Sequence, residues 1–198
     1  MTRPDRKLNR LCDFDYSQDA LYFVTSCVKD KICVFGEVVD EEMQVNEHGH
    51  IAERQWYWLA EQYPYVILHA FVVMPNHMHG IIEIDRENSP VGTGRDLSNR
   101  APITNHEKTT TGALPTQKIK SLSALMGVYK TTTSKLVRLA GLPDFAWQRS
   151  FHDHIIRHNS AYIHIRNYIQ ENPAKWQHDM FYLPEKQRRH GKLKPSSG

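Results

Sequence analysis

Two histidines one residue apart, His77 and His79, follow an apolar run and a Pro75-Asn76 turn in Ala70-Phe71-Val72-Val73-Met74-Pro75-Asn76-His77-Met78-His79-Gly80-Ile81-Ile82-Glu83-Ile84. In an extended strand, alternate side chains share a face, so both imidazoles project to one side while Met78 and Gly80 project to the other. Two imidazoles side by side can hold one divalent ion. A histidine in an apolar strand is more often a hydrogen-bonded core residue, and the chain carries two rival pairs at the same spacing, His48/His50 and His152/His154. The apolar Met78 between them and the turn before them favour the first pair, because sites tend to be built where strands begin.

Around this stretch the motifs of a family fall in order. Met74-Pro75-Asn76-His77-Met78-His79 resembles the His-hydrophobe-His signature of the HUH single-tyrosine transposases, and is most similar to that of the REP-associated tyrosine transposases. It is followed by Ser123-Ala124-Leu125-Met126-Gly127-Val128-Tyr129-Lys130-Thr131, which is similar to the tyrosine-bearing helix, then by Trp147-Gln148-Arg149-Ser150-Phe151-His152-Asp153-His154-Ile155-Ile156-Arg157, and last by Ile165-Arg166-Asn167-Tyr168-Ile169-Gln170-Glu171-Asn172-Pro173-Ala174-Lys175-Trp176. The resemblance spans residues 21–176. It implies a ferredoxin-like α+β fold, magnesium or manganese at the histidine pair, and single-stranded DNA bearing a hairpin as partner. It also implies Tyr129 as the nucleophile of a nicking and strand-transfer reaction through a 5'-phosphotyrosine link.

Phenol ionises near pH 10, far below an aliphatic hydroxyl, so a nearby cation can make it usable near neutral pH. One departure from the family pattern concerns the metal. Related transposases can complete the site with a glutamine one helical turn after the tyrosine, where this chain has Thr133, a poorer ligand. His154 is the first substitute, with Glu83 or water behind it. Imidazole by itself favours zinc, copper, iron or nickel. Two other readings stay open: a DNA-hairpin-binding protein of the same fold without chemistry, and a metallohydrolase in which Tyr129 is structural.

Composition sets the frame. A chain of 198 residues suits one domain, here residues 1–184 followed by a basic disordered tail at 185–198. The formal charge of +3 is small, but charges are segregated: Lys118, Lys120, Lys130, Lys135 and Arg138 have no acid among them up to Pro143. Lys118, Lys120, Lys130, Lys135, Arg149 and Arg157 are the candidate DNA contacts. Trp147, Phe151 and Tyr168 are aromatic enough to stack on unpaired bases, though each also suits a core. The 3 cysteines, Cys12, Cys27 and Cys33, form no C-x-x-C pair, and with no secretory or membrane-spanning run the expectation is a cytoplasmic protein without membrane association. The resemblance favours a monomer, with a homodimer as the alternative.

The elements that must position these residues follow from periodicity. Strands are expected at 21–28, 65–74 and 77–85, the last two as a hairpin, with a short strand at 43–45. Helices are expected at 49–62, 118–140 and 161–170, the last capped by Asn159 or Ser160, with an extended segment at 147–157. In the second helix, Leu122, Met126, Tyr129, Thr133, Leu136 and Ala140 form the inward seam. Residues 86–117, rich in Gly, Pro, Ser, Thr and Asn, read as a mobile linker. An antiparallel sheet with helices packed on one face gives an α+β class.

Overall fold

A computed structural model of the chain describes residues 19–87, 119–182 and 184. The expected linker, apart from residues 86 and 87, lies outside these residues, as do Lys118 and the basic tail. The element order is β1 (Ala20–Cys27), β2 (Gly36–Val39), β3 (Glu42–Val45), α1 (Glu47–Gln62), β4 (Val66–Met74), β5 (His77–Ile84), α2 (Leu122–Leu139), β6 (His152–Ile156) and α3 (Asn159–Glu171). One four-stranded antiparallel sheet has the order β4-β5-β1-β6, and β2 and β3 form a separate hairpin. The α+β class with an antiparallel sheet is as expected. Among the described residues, no helix is long and apolar enough to cross a membrane.

β4 and β5 join through Pro75 and Asn76, with Met74 opposite His77. β5 then runs beside β1, setting His77 against Cys27 and His79 against Thr25. Paired residues of adjacent strands share a face, so the sheet has two distinct sides. Tyr22, Val24, Met78, Ile82 and Ile84 look one way, into the main core with α1 and α2. Ile81 and Ile156 look the other way, where α3 lays Ile165 and Ile169 against them. The sheet therefore carries helices on both sides, two on one and one on the other.

Local chemistry accounts for the helix ends. Asn46 caps α1, its Oδ1 accepting from the Gly49 N–H at 3.0 Å. Ser121 caps α2 in the same way, and Gly141, at φ 98°, lies just beyond its end. α3 starts at Asn159 with His158 in the cap position, where no side chain caps it. In α2 the inward stripe is Leu122, Met126, Tyr129, Thr133 and then Val137, while the expected Leu136 is exposed. A helix of 3.6 residues per turn drifts about 20° per heptad against a strict seven-residue pattern, which is enough to hand the last core position to the next residue.

Candidate metal centre and its tyrosine

The histidine pair lies at the start of β5 on the α3 side of the sheet, with both rings buried. His77 Nδ1 is 2.8 Å from Asn76 Oδ1. The Asn76 carboxamide can be oriented in only one way, because its Nδ2 donates to the carbonyls of Lys31 and Phe181 at 3.0 and 2.9 Å. Its oxygen must therefore accept from His77, which leaves His77 Nε2 as a bare lone pair. His79 Nδ1 lies 2.7 Å from Thr25 Oγ1, a hydroxyl that can accept its proton and free Nε2 in turn.

The two Nε2 atoms face each other at 3.0 Å. Two nitrogens bound to one ion at about 2.1 Å and at right angles would stand about 3.0 Å apart. Burial, then the charge of Lys31, pushes the His77 imidazolium down to about 3, and burial with the neighbouring His77 holds His79 well below its ordinary value. Both rings are neutral at physiological pH, the form that ligates a metal.

The third member of the cluster is Asp179, and its carboxylate, His77 and His79 offer ligand atoms within 4.8 Å of one another. Asp179 lies beyond α3, in a strap that folds back over the histidines. The ring of Phe181 is centred 4.6 Å from His77 and that of Trp176 5.9 Å. Asp179 Oδ1 accepts from the Phe181 N–H at 2.6 Å, and Oδ2 accepts from Asn172 Nδ2 at 3.2 Å. Asn172 is buried, and its Oδ1 has no partner, an oxygen to spare beside the cluster. Two neutral imidazoles, a carboxylate and an orphaned amide oxygen make a donor set that fits a divalent cation.

One phenol completes the site. Tyr168, on α3 one turn before Asn172, has its hydroxyl 3.2 Å from His79 Nε2 and 3.5 Å from Asp179 Oδ2. Phe23 stacks on His79 at 5.4 Å and meets Tyr168 edge-on at 6.1 Å. Partial burial and then the charge of Asp179 push the Tyr168 phenol up to about 12, while a hydrogen bond with Asn172 pulls the other way. The residue is 37% exposed, so part of its side chain reaches solvent.

Tyr129 is elsewhere. It is fully buried on the α1–α2 side of the sheet, edge-on to Trp56 at 5.5 Å, and its hydroxyl donates to the Ala52 carbonyl at 3.3 Å. Trp56 in turn covers the Cα of Gly80, on the side of β5 away from the histidines. The sheet stands between Tyr129 and the imidazoles, and burial raises its pKa further. Thr133 is buried on that same side.

The remaining expected site residues are dispersed. His154 is exposed on β6, opposite Phe23, and lies outside the His77/His79/Asp179 cluster. Glu83 is engaged with His69 at 2.8 Å. Lys130 spends its ammonium on the carbonyls of Gln148, Arg149 and Ser150 and is not a free phosphate donor. The Lys120 ammonium sits 5.8 Å from the centre of the Tyr63 ring. Lys135, Arg149 and Arg157 are exposed. Trp147 and Phe151 belong to the core. Asp179, Asn172 and Tyr168 as a site phenol were missed. The signal for the last two was present, since Tyr168 and Asn172 set a carboxamide one turn after a tyrosine, the spacing that Tyr129 and Thr133 fail to supply.

No family model matches the chain. Among solved structures, it is similar to a REP-associated tyrosine transposase bound to a REP hairpin, with a TM-score of 0.48 and 18% identity over 79% of this chain and 68% of that one. A crystal structure from Deinococcus radiodurans is similar with a TM-score of 0.43 and 13% identity, over 81% of this chain and 95% of that one. Among curated proteins, an "Uncharacterized protein" of Haemophilus influenzae is 32% identical over 178 residues, which cover 90% of this chain and 93% of that protein. At that identity over nearly the full length of both, the chain belongs to the family of the Haemophilus influenzae protein.

Proposed function

We propose that this chain is a divalent-metal-dependent enzyme that cuts and rejoins single-stranded DNA beside a hairpin, with Tyr168 as its nucleophile. The observation that carries the reading is the Tyr168 hydroxyl 3.2 Å from His79 Nε2, at the rim of a cluster of the buried His77 and His79 with the half-buried Asp179. The His-hydrophobe-His motif and its resemblance to single-tyrosine transposases supply the substrate class. His77, His79 and Asp179 would hold the ion, with the free oxygen of Asn172 as a further donor. A bound divalent cation supplies charge that neutralises the nonbridging phosphate oxygens and favours the ionised phenol.

The chain's own residues do the rest. Asn76 and Thr25 hold the two rings with Nε2 outward. Phe23, Trp176 and Phe181 wall the cluster from water. The Tyr168 oxygen attacks phosphorus, the bond to the 3'-oxygen breaks, and that oxygen leaves as a hydroxyl after taking a proton. The 5'-phosphate stays on the tyrosine. Because the phosphodiester energy is kept in that link, an incoming 3'-hydroxyl can reverse the step and join a new strand.

The test is a covalent protein–DNA adduct that survives SDS, formed with labelled hairpin oligonucleotides and manganese. Wild type and Tyr129→Phe should form it and Tyr168→Phe should not. An adduct that persists in Tyr168→Phe and vanishes in Tyr129→Phe would overturn the assignment. Metal-dependent cleavage by Tyr168→Phe without any adduct would instead indicate a hydrolase.

A further inference from the structure

A concave feature lies away from the histidines, between α2 and residues 146–149. It is a cleft of about 320 Å³, and none of the residues that line it is acidic. Arg138 and Arg149 bring cations to it, and Lys130 lines it as well, its ammonium held on the carbonyls of Gln148, Arg149 and Ser150. Thr131 and Ser134 bring hydroxyls from α2. Ser134 donates to the Lys130 carbonyl at 2.7 Å, so its oxygen keeps lone pairs but little freedom. Trp147 lines the cleft as well, 8% exposed, and its indole N–H is buried with no partner.

A cleft lined by two guanidinium groups and two hydroxyls, with no acidic residue in its lining, suits an anion that offers several acceptors, which describes a phosphate group. The position of the cleft bears on which phosphates. Gln148 donates from its backbone N–H to the Cys27 carbonyl at 2.8 Å, and Val28 bridges to Trp147, so the cleft's floor is stitched to the end of β1. Cys27 is the register partner of His77. A polynucleotide lying across the histidine end of the sheet would meet this cleft as it continues around the edge.

We propose that the cleft is a second phosphate-binding site that grips the backbone of single-stranded nucleic acid flanking the reacting bond. It rests on the proposed single-stranded DNA chemistry for its ligand, but not on which tyrosine is the nucleophile. Arg149 and Thr131 are exposed and make the most accessible contacts. Lys130 and Arg138 serve as scaffold too, since Arg138 Nε donates to the Phe145 carbonyl at 3.0 Å.

The experiment measures binding of a fluorescein-labelled oligothymidylate of roughly 20 nucleotides by anisotropy, across a salt series, using the full chain. The variants are Arg149→Glu and Thr131→Glu, with Arg54→Glu, an exposed position on α1, as the charge-matched control. The cleft reading expects Arg149→Glu to weaken binding at least about 10-fold relative to Arg54→Glu, and to lower the slope of log K against log salt by about 0.7. Thr131→Glu should weaken it in the same direction. Equal affinity of Arg149→Glu and Arg54→Glu, or no binding by wild type, would overturn the proposal. A separate arm adds inorganic phosphate at constant ionic strength. Full competition at low millimolar phosphate would overturn the polynucleotide assignment in favour of a free-anion site, and failure to compete supports it. Adduct formation read in parallel separates the two ideas, since wild type can form the tyrosine link while Arg149→Glu leaves affinity untouched, or the reverse.

Discussion

At the scale of single residues, the site depends on side chains that never touch a substrate. Asn76 spends both of its side-chain donors and an acceptor on three partners, the Lys31 carbonyl, the Phe181 carbonyl and His77. It thus fixes a ligand ring and fastens the strap that covers it. Asn76→Ala should weaken binding of manganese or zinc by about 10- to 100-fold in a direct titration, the usual cost of removing a partner that orients a metal ligand. Asn76→Asp keeps the acceptor and loses the two donors, so it should recover affinity while leaving the strap open to protease. Wild-type affinity in Asn76→Ala would show that the ring needs no such support. Tyr129 has the opposite profile, since its hydroxyl is spent inside the core, where it donates to the Ala52 carbonyl. Tyr129→Phe should cost about 0.5 to 1.5 kcal/mol in urea unfolding and leave adduct formation intact. The helical pattern correctly marks Tyr129 as inward, because spacing reports which side of a helix is apolar. It cannot report which side of a sheet that helix will cover, which is settled by α1, whose Trp56 packs against Tyr129. Tyr168 sat beside Ile169 at the edge of a short apolar stripe, where a phenol looks like any half-exposed core tyrosine.

At the scale of elements, β5 is the part most readable from the amino-acid order. The apolar run, the Pro-Asn turn and the two-residue alternation foretell the hairpin and put both histidines on one side. What they leave open is how the register is held, and there Gly80 matters. A methyl group added at Gly80 would stand 2.6 Å from the Trp56 ring, which is itself stacked on Phe71 at 5.2 Å. The indole has no room to retreat, so Gly80→Ala should destabilise the fold by about 1 to 3 kcal/mol in urea or guanidinium unfolding. Unchanged stability would mean that the indole moves aside. Because a slip by one residue turns every side chain of a strand over, this contact also keeps the imidazoles on the α3 side. The bulge between Leu68 and Phe71 in β4, like the strap at Trp176–His178 and beyond, has no periodic signature, which is why Asp179 was not foreseen. An irregular segment is positioned by what it packs on, here the rings of His77 and His79.

At the scale of the whole molecule, the buried histidines tie stability to pH. The folded-state pKa of His77 is about 3 against an ordinary 6.5, so between those values the unfolded chain binds more protons. Stability therefore rises with pH from about 3 to 6.5 and is flat above as far as these rings are concerned. Calorimetry should show the melting temperature of the metal-free protein falling from pH 7 to pH 4, and the fall should be shallower in His77→Gln with His79→Gln. An equally steep fall in that variant would place the acid sensitivity elsewhere. The sheet order β4-β5-β1-β6 has a further consequence. β1, the earliest of the four along the chain, is an inner strand whose neighbours arrive much later, β6 last of all. A ribosome would release it with both hydrogen-bonding edges bare, so the nascent protein should lean on chaperones until translation is almost done.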